Sequence, residues 1–362
     1  MTTWKKSLQN KSHKSRRKRK IEPPVFGGSH KECVGCNVTI KNNINKGESL
    51  RQWVFLFLIL LLIAAVCYLF DFCFDGKFLT KSNLTVLISH AIIPAFVAWG
   101  LCFIFACEFT DMSIGAVIVI AANVSGMLGS AFGYPGIILG GIGTGMLLIA
   151  FNFFIFVKTN IPSWIAGIGL AMIYEALAVL YSNKVTQSGG TIAQLDNSLR
   201  LLAKPPYIYL VFFLGFIAAY LIYNRTQAGL NIRALGSGLK VSADLGIDIK
   251  KTLLSVGLIC GFFVGCSAFL NESYNARMTA KTGLTSLAMI FQPMAALMLA
   301  QVLQSRINII VGIPICSLLV YSIFNMLTIA GVPSGTWQEA ILGFIVILFG
   351  VIAQRNTKGV VK

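Results

Sequence analysis

The residues able to do chemistry in this chain are few, and most sit where water is scarce. Glu175 interrupts the apolar stretch "AMIYEALAVL", and Asp111, Asn123, Asn152, Gln292, Gln301 and Asn325 fall within or beside others. A charge at membrane depth is costly, so such a group faces a cavity or a partner. Glu175 therefore reads either as a pathway carboxylate or as a structural one, protonated or hydrogen-bonded between helices. For single Asn or Gln residues, hydrogen bonding between helices is the commoner role. Covalent chemistry has little to work with. There are three histidines, His13, His30 and His90, and no G-x-x-x-x-G-K-[ST], H-E-x-x-H or G-x-S-x-G motif. His30, Cys33 and Cys36 form H-x-x-C-x-x-C, but tetrahedral zinc takes four ligands and no fourth lies nearby. These residues imply no catalytic site, no cofactor and no metal.

A polar island lies between two long apolar runs. In "NIRALGSGLKVSADLGIDIKK" (231–251), Arg233, Lys240, Asp244, Asp248, Lys250 and Lys251 separate "YIYLVFFLGFIAAYLIY" from "TLLSVGLICGFFVGCSAFL". The spacing predicts a short helix over 237–246, with Leu239, Ser242 and Ala243 on one face and Lys240 and Asp244 on another. Gly246 is placed to end it as a C-terminal cap. Such a helix suits docking into another protein's groove, and its spacing equally suits an amphipathic loop lying on the lipid surface.

The elements that position these residues are membrane spans. The 362-residue chain is 56% hydrophobic and 12% charged, with mean hydropathy +0.76, half the charge of an ordinary soluble domain. A span needs roughly 20 apolar residues. By that measure the chain is an all-α polytopic membrane protein with ten spans, at about 52–70, 84–106, 112–129, 135–157, 162–181, 207–224, 252–270, 285–304, 307–330 and 337–353. Gly257, Gly261 and Gly265 recur every four residues, and Gly136, Gly140, Gly141 and Gly145 do much the same in the fourth span, as expected where helices approach closely. Residues 1–51 hold thirteen of the 30 Lys and Arg against three acidic residues. The positive-inside rule puts this tail, expected to be disordered, in the cytoplasm. Ten spans then return residues 354–362 to the same side. The run "KSHKSRRKRK" reads as a topology signal that touches anionic lipid, since no aromatic or groove-reading pattern accompanies it to suggest nucleic acid. Residues 1–51, 52–353 and 354–362 thus divide into tail, transmembrane domain and tail.

The island carries a resemblance. "AGLNIRALGSGLKVSADLGIDIKK" resembles the cytoplasmic coupling segment of the ribose-type (monosaccharide) ABC transporter permeases, of the branched-chain amino acid/ribose-type inner-membrane permease family. That pattern is approximately G-x-x-x-R-A-x-G-x-x-x-x-A-A-x-x-x-G-I. Gly229, Arg233, Ala234, Gly236, Gly246 and Ile247 match it, while Val241 and Ser242 replace the paired alanines. "TDMSIGAVIVIAANVSGML" is similar to the family's G-G-x-D-L-S-x-G-A stretch through Asp111, Ser113, Gly115 and Ala116, with Glu108 and Phe109 in place of the glycines. "FNMLTIAGVPSGTWQEAILGFIVILFGVI" is similar to the final segment through Asn325, Leu327, Gly331 and Val332, and through Gln338 and Gly343 after one inserted residue. The family's glycine-rich stretch before the last two spans is here "MAALMLAQVLQSRINIIVG" (294–312), which should form a more regular helix.

The resemblance implies a permease subunit of the bacterial cell membrane that imports a monosaccharide or related small polar solute. Its implied partners are a separate cytoplasmic ATPase, an extracytoplasmic substrate-binding protein and a second permease subunit. The ATPase would contact residues 231–251, with Arg233, Ala234, Gly236, Leu239, Ser242, Ala243, Gly246 and Ile247 as coupling residues. Asp111, Ser113, Glu175 and Asn325 are candidates for the solute pathway. A gradient-driven secondary transporter, coupled through Glu175 and Asp111, is the rival reading; an embedded enzyme or scaffold is a third.

Overall fold

The computed structural model describes residues 68–355 except 75, 160, 188–194, 277, 279–281, 305 and 333–334, together with Leu61 and Ala65. The basic tail with Cys33 and Cys36, most of the first expected span and residues 356–362 lie outside the described residues.

Among the described residues eight helices are long and apolar enough to cross a membrane, with a shorter apolar stretch at Trp337–Ile352. The helices are α1 (Lys81–Phe105), α2 (Ile114–Phe132), α3 (Tyr134–Thr159), α4 (Ser163–Gln187), α5 (Tyr207–Arg225), α6 (Gln227–Leu235), α7 (Leu239–Asp244), α8 (Ile249–Asn275), α9 (Ala288–Leu303), α10 (Ile309–Ile329) and α11 (Thr336–Arg355). No strand occurs among the described residues, so the all-α reading stands. Most helices run past the expected apolar limits, because backbone hydrogen bonding and end caps carry a helix beyond its apolar stretch. Thr80, Asp248 and Asn308 side chains accept from Asn83 N, Lys251 N and Ile310 N and so cap α1, α8 and α10.

Two helices form the centre. In α1 and α8, 83% and 72% of the apolar window is buried, against 22% in α5, whose Leu210, Phe213 and Leu214 face outward. Trp99 and Phe103 of α1 are fully buried, Trp99 stacked on Phe212 and Phe103 on Phe263. Helix α3 lies along α8 at backbone distance. A Cβ on Gly145 would sit 2.6 Å from Gly261 O, and one on Gly265 would sit 2.6 Å from Gly141 O. Gly141 and Gly145 of one series thus face Gly261 and Gly265 of the other across one contact, while Gly136 and Gly140 pack against α2 at Leu128 and Ser125. Where a more regular helix was expected over 294–312, α9 runs unbroken to Leu303, then a turn to Asn308 starts α10.

The polar island contains two helices rather than one. Thr226 caps α6 by accepting from Gly229 N at 3.2 Å, a start signal that apolar periodicity does not reveal. Gly236 then packs against the Ala106 carbonyl at the end of α1, where a Cβ would not fit. Gly246 adopts φ +79° and ends α7. Its N–H donates to Ala243 O at 2.9 Å and that of Ile247 to Ser242 O at 3.0 Å, the paired bonds of a glycine C-terminal cap.

Candidate functional site: polar cavities at one end of the bundle

Three prolines interrupt the helices, Pro94 in α1, Pro293 in α9 and Pro314 in α10. Each removes the N–H that would bond the carbonyl four residues earlier. For Pro314 that carbonyl belongs to Ile310, and the Trp99 indole Nε1 donates to it at 3.0 Å. For Pro94 and Pro293 the carbonyls belong to His90 and Met289, and both residues line one cavity.

That cavity has a volume of about 210 Å³. His90 forms its aromatic wall, edge-on to Tyr274 at 4.2 Å between ring centroids and stacked on Tyr321 at 5.3 Å. Asn271, Asn275 and Gln292 supply amides. A second cavity, about 370 Å³, shares Gln292 and Tyr321 with the first and adds Asn325, Thr328, Gln338 and Glu339. Asn325 is held by a reciprocal amide pair with Asn83, at 2.9 and 3.0 Å, and Gln338 Nε2 donates to Thr328 Oγ1 at 3.1 Å. Among the described residues, Glu339 is the one carboxylate in either lining, and no Lys or Arg lines them. Such a surface offers neutral donors, neutral acceptors and flat aromatic faces. It suits an uncharged, hydroxyl-bearing solute, whose hydroxyls hydrogen-bond amides and whose C–H faces rest on rings.

The other pathway candidates lie elsewhere. Asp111 and Ser113 are buried beside Asn152 of α3. Asn152 Nδ2 donates to Asp111 Oδ2 at 3.1 Å and to Ser113 Oγ at 2.6 Å, while Tyr174 OH donates to Asn152 Oδ1 at 2.6 Å. Ser113 N closes the loop onto Asp111 Oδ1 at 2.8 Å. Glu175 is buried on α4 and accepts from Leu284 N and Ser286 N, each at 2.8 Å, and from the Ser286 hydroxyl. It holds the turn Thr285–Leu287 that starts α9. Of the pathway candidates, only Asn325 lines a cavity; Asp111, Ser113 and Glu175 line neither. The sequence reading counted His90 without placing it in a cavity and passed over Tyr274 and Tyr321, because aromatic residues in apolar helices give no signal of which face they occupy.

The island's side chains are at the opposite end. Ser242, expected on a docking face with Leu239 and Ala243, is instead buried, its hydroxyl donating to Ala234 O at 2.8 Å and Gly238 O at 3.0 Å. That bond pins α7 to α6 and turns Leu239, Val241 and Leu245 outward, all exposed, so the expected face is corrected accordingly. The Arg233 Nε donates to Gly229 O at 3.3 Å, and its guanidinium lies 5.1 Å from the Tyr223 ring centroid. Helix α8 begins within this segment, at Ile249, and reaches the cavities only in its last turns, from Ser267 to Asn275.

Residues 83–350 match the family described as Branched-chain amino acid transport system / permease component. The chain belongs to that family. It is a multi-pass membrane protein and a transport component rather than an enzyme. Among known permease components it is 24% identical over 216 residues to the autoinducer 2 import system permease protein LsrC of Enterobacter sp. (strain 638), covering 58% of this chain and 61% of that one. It is 22% identical over 325 residues to the galactose/methyl galactoside import permease protein MglC of Haemophilus influenzae, covering 83% and 93%. With the fructose import permease protein FrcC of Rhizobium meliloti, identity is 24% over 217 residues, covering 56% and 60%. No solved structure matches the chain.

Proposed function

We propose that this permease component is the transmembrane subunit of an ATP-dependent (ABC) importer in the inner membrane. Its solute is a monosaccharide such as ribose, or a related small polar molecule. The observation that carries the reading is the division of the bundle, with the 231–251 segment at one end of α1 and α8 and the neutral polar cavities at the other. ATP-driven motion of a cytoplasmic ATPase against the exposed Leu239, Val241 and Leu245 would be transmitted through Gly236 on the end of α1 and through α8. Arg233, Ala234, Ala243, Gly246 and Ile247 shape and hold that surface. An extracytoplasmic binding protein would deliver the solute to the cavity end, and a second permease subunit would complete the pore. The altered 294–312 stretch favours a heterodimer.

The lining supports this solute class. A zwitterionic amino acid needs counter-charges of both signs, and the described residues of the cavities present amides, hydroxyls and rings with Glu339 as the one charged group. The relatives, which import autoinducer 2, galactose and methyl galactoside, or fructose, agree with a sugar-like solute. Glu175 and Asp111, which a gradient-driven transporter would use, are committed to internal hydrogen bonds. The test is a pull-down of the chain from native membranes in mild detergent, read by mass spectrometry. A P-loop ATPase should co-purify and be lost on deletion of 239–245. Recovery of no ATPase from an otherwise intact preparation would overturn the proposal.

A further inference from the structure

Two backbone carbonyls meet at the cavity of about 210 Å³ without the helix bond that normally occupies them. A helical carbonyl points along the axis at the N–H four residues ahead, and at Pro94 and Pro293 that N–H is missing. The carbonyls concerned are those of His90 in α1 and Met289 in α9. Residues four apart share one helix face. Here both members of each pair, His90 with Pro94 and Met289 with Pro293, line the same cavity. Each freed oxygen therefore lies on a face turned to that cavity.

Elsewhere the bundle meets such breaks with its own side chains. At Pro314 the Trp99 indole donates to Ile310 O at 3.0 Å. Beside the Pro94 break, the buried Ser317 hydroxyl of α10 donates to Ala91 O at 2.8 Å. Helices α1 and α10 thus supply donors to each other. Among the described residues no side chain donates to His90 O or Met289 O. A carbonyl shielded from bulk water is costly without a donor, and on this face the donor must enter from the cavity.

We propose that His90 O and Met289 O are hydroxyl acceptors for the solute, so that Pro94 and Pro293 set its specificity by the N–H groups they withhold. This rests on the cavities being the solute site and deepens that reading. Among the described residues this lining has no carboxylate to balance an ammonium, so a neutral hydroxyl is the fitting donor. Water and a solute hydroxyl donate to a carbonyl in the same way, so one replaces the other at little cost. Two acceptors on separate helices favour two hydroxyls on one molecule, as a sugar or another polyol carries.

The experiment uses the full chain in lipid nanodiscs, free of sugar-headed detergent, with D-galactose, D-fructose and D-ribose as probes. Saturation-transfer NMR reads binding, and thermal unfolding reads stability. Pro94→Ala and Pro293→Ala each return an N–H to the open carbonyl. Each should weaken binding of the sugar that the unaltered chain takes by about tenfold, the upper scale of one hydrogen bond. Each should also keep or raise the melting temperature, since alanine suits a helix interior better than proline. Pro314→Ala removes a proline whose open carbonyl Trp99 already serves, and should leave binding unchanged. Gln292→Lys tests the cavity separately. Weakening by Gln292→Lys with none in Pro94→Ala and Pro293→Ala would overturn the acceptor role and leave the cavity as the solute site. Equal weakening by all three alanine variants would also overturn it, marking helix shape as the cause. If the unaltered chain binds none of the three sugars, or if Gln292→Lys binds them undiminished, the solute reading falls and this inference with it.

Discussion

Buried carboxylates in a membrane protein take their role from their partners, and Glu175 shows how. Its two oxygens accept from the backbone of Leu284 and Ser286 and from the Ser286 hydroxyl. Those groups begin α9, which lines both cavities. Glu175→Ala leaves buried donors unpaired and should cost about 2–5 kcal/mol, seen as a lower melting temperature in detergent. Glu175→Gln keeps one acceptor oxygen and should recover a good part of that loss without abolishing transport. Full stability with abolished transport in Glu175→Gln would instead mark it as a coupling carboxylate. The sequence made Glu175 visible, because a charge stands out in an apolar run, yet left its role open. Ser286 lies 111 residues away, and no local pattern joins residues that meet only in the folded bundle. The same holds for Asn83 with Asn325, 242 residues apart.

Between α3 and α8, spacing was enough, because a glycine every four residues marks one helix face whatever lies opposite. Gly265 faces backbone on the other side, with Gly141 O and Ile142 Cα each 2.6 Å from where its Cβ would be. Backbone cannot rotate away as a side chain can, so Gly265→Val should destabilise by about 3 kcal/mol. Gly143, two residues from that contact on α3, has nothing within 4 Å of its Cβ position. Gly143→Val should change stability by less than about 0.5 kcal/mol. Thermal unfolding of the pair separates a packing role from the general cost of replacing glycine in a helix. Equal effects would mean that the two helices tolerate separation. Helix α6 was the element least legible in the sequence. Its start depends on the Thr226 hydroxyl rather than on an apolar stripe, and its end on a contact between Gly236 and Ala106, more than a hundred residues away.

Across the whole molecule, the long central helices connect two chemically different ends, and on the proposed route a solute would meet the residues shared by the two cavities. Gln292 is one of these, with Tyr321 the other. Pro293 follows it, so the residue sits where α9 has lost a backbone hydrogen bond and where a neutral amide can exchange partners with a passing hydroxyl. Gln292→Lys puts a positive charge where the two cavities share an uncharged amide. If the chain is the proposed sugar importer subunit, assayed with its ATPase and binding protein, the substitution should lower sugar uptake at least about tenfold, the effect of one charged hydrogen bond mismatched. Gln292→Asn should retain most of the uptake. Co-purification of the ATPase should be unchanged in both, since α6 and α7 lie at the far end of the bundle. Uptake unaffected by Gln292→Lys would place the route outside these cavities. Loss of the ATPase together with uptake would mean that the two ends are one cooperative unit, in which a change at Gln292 is felt as far as Gly236.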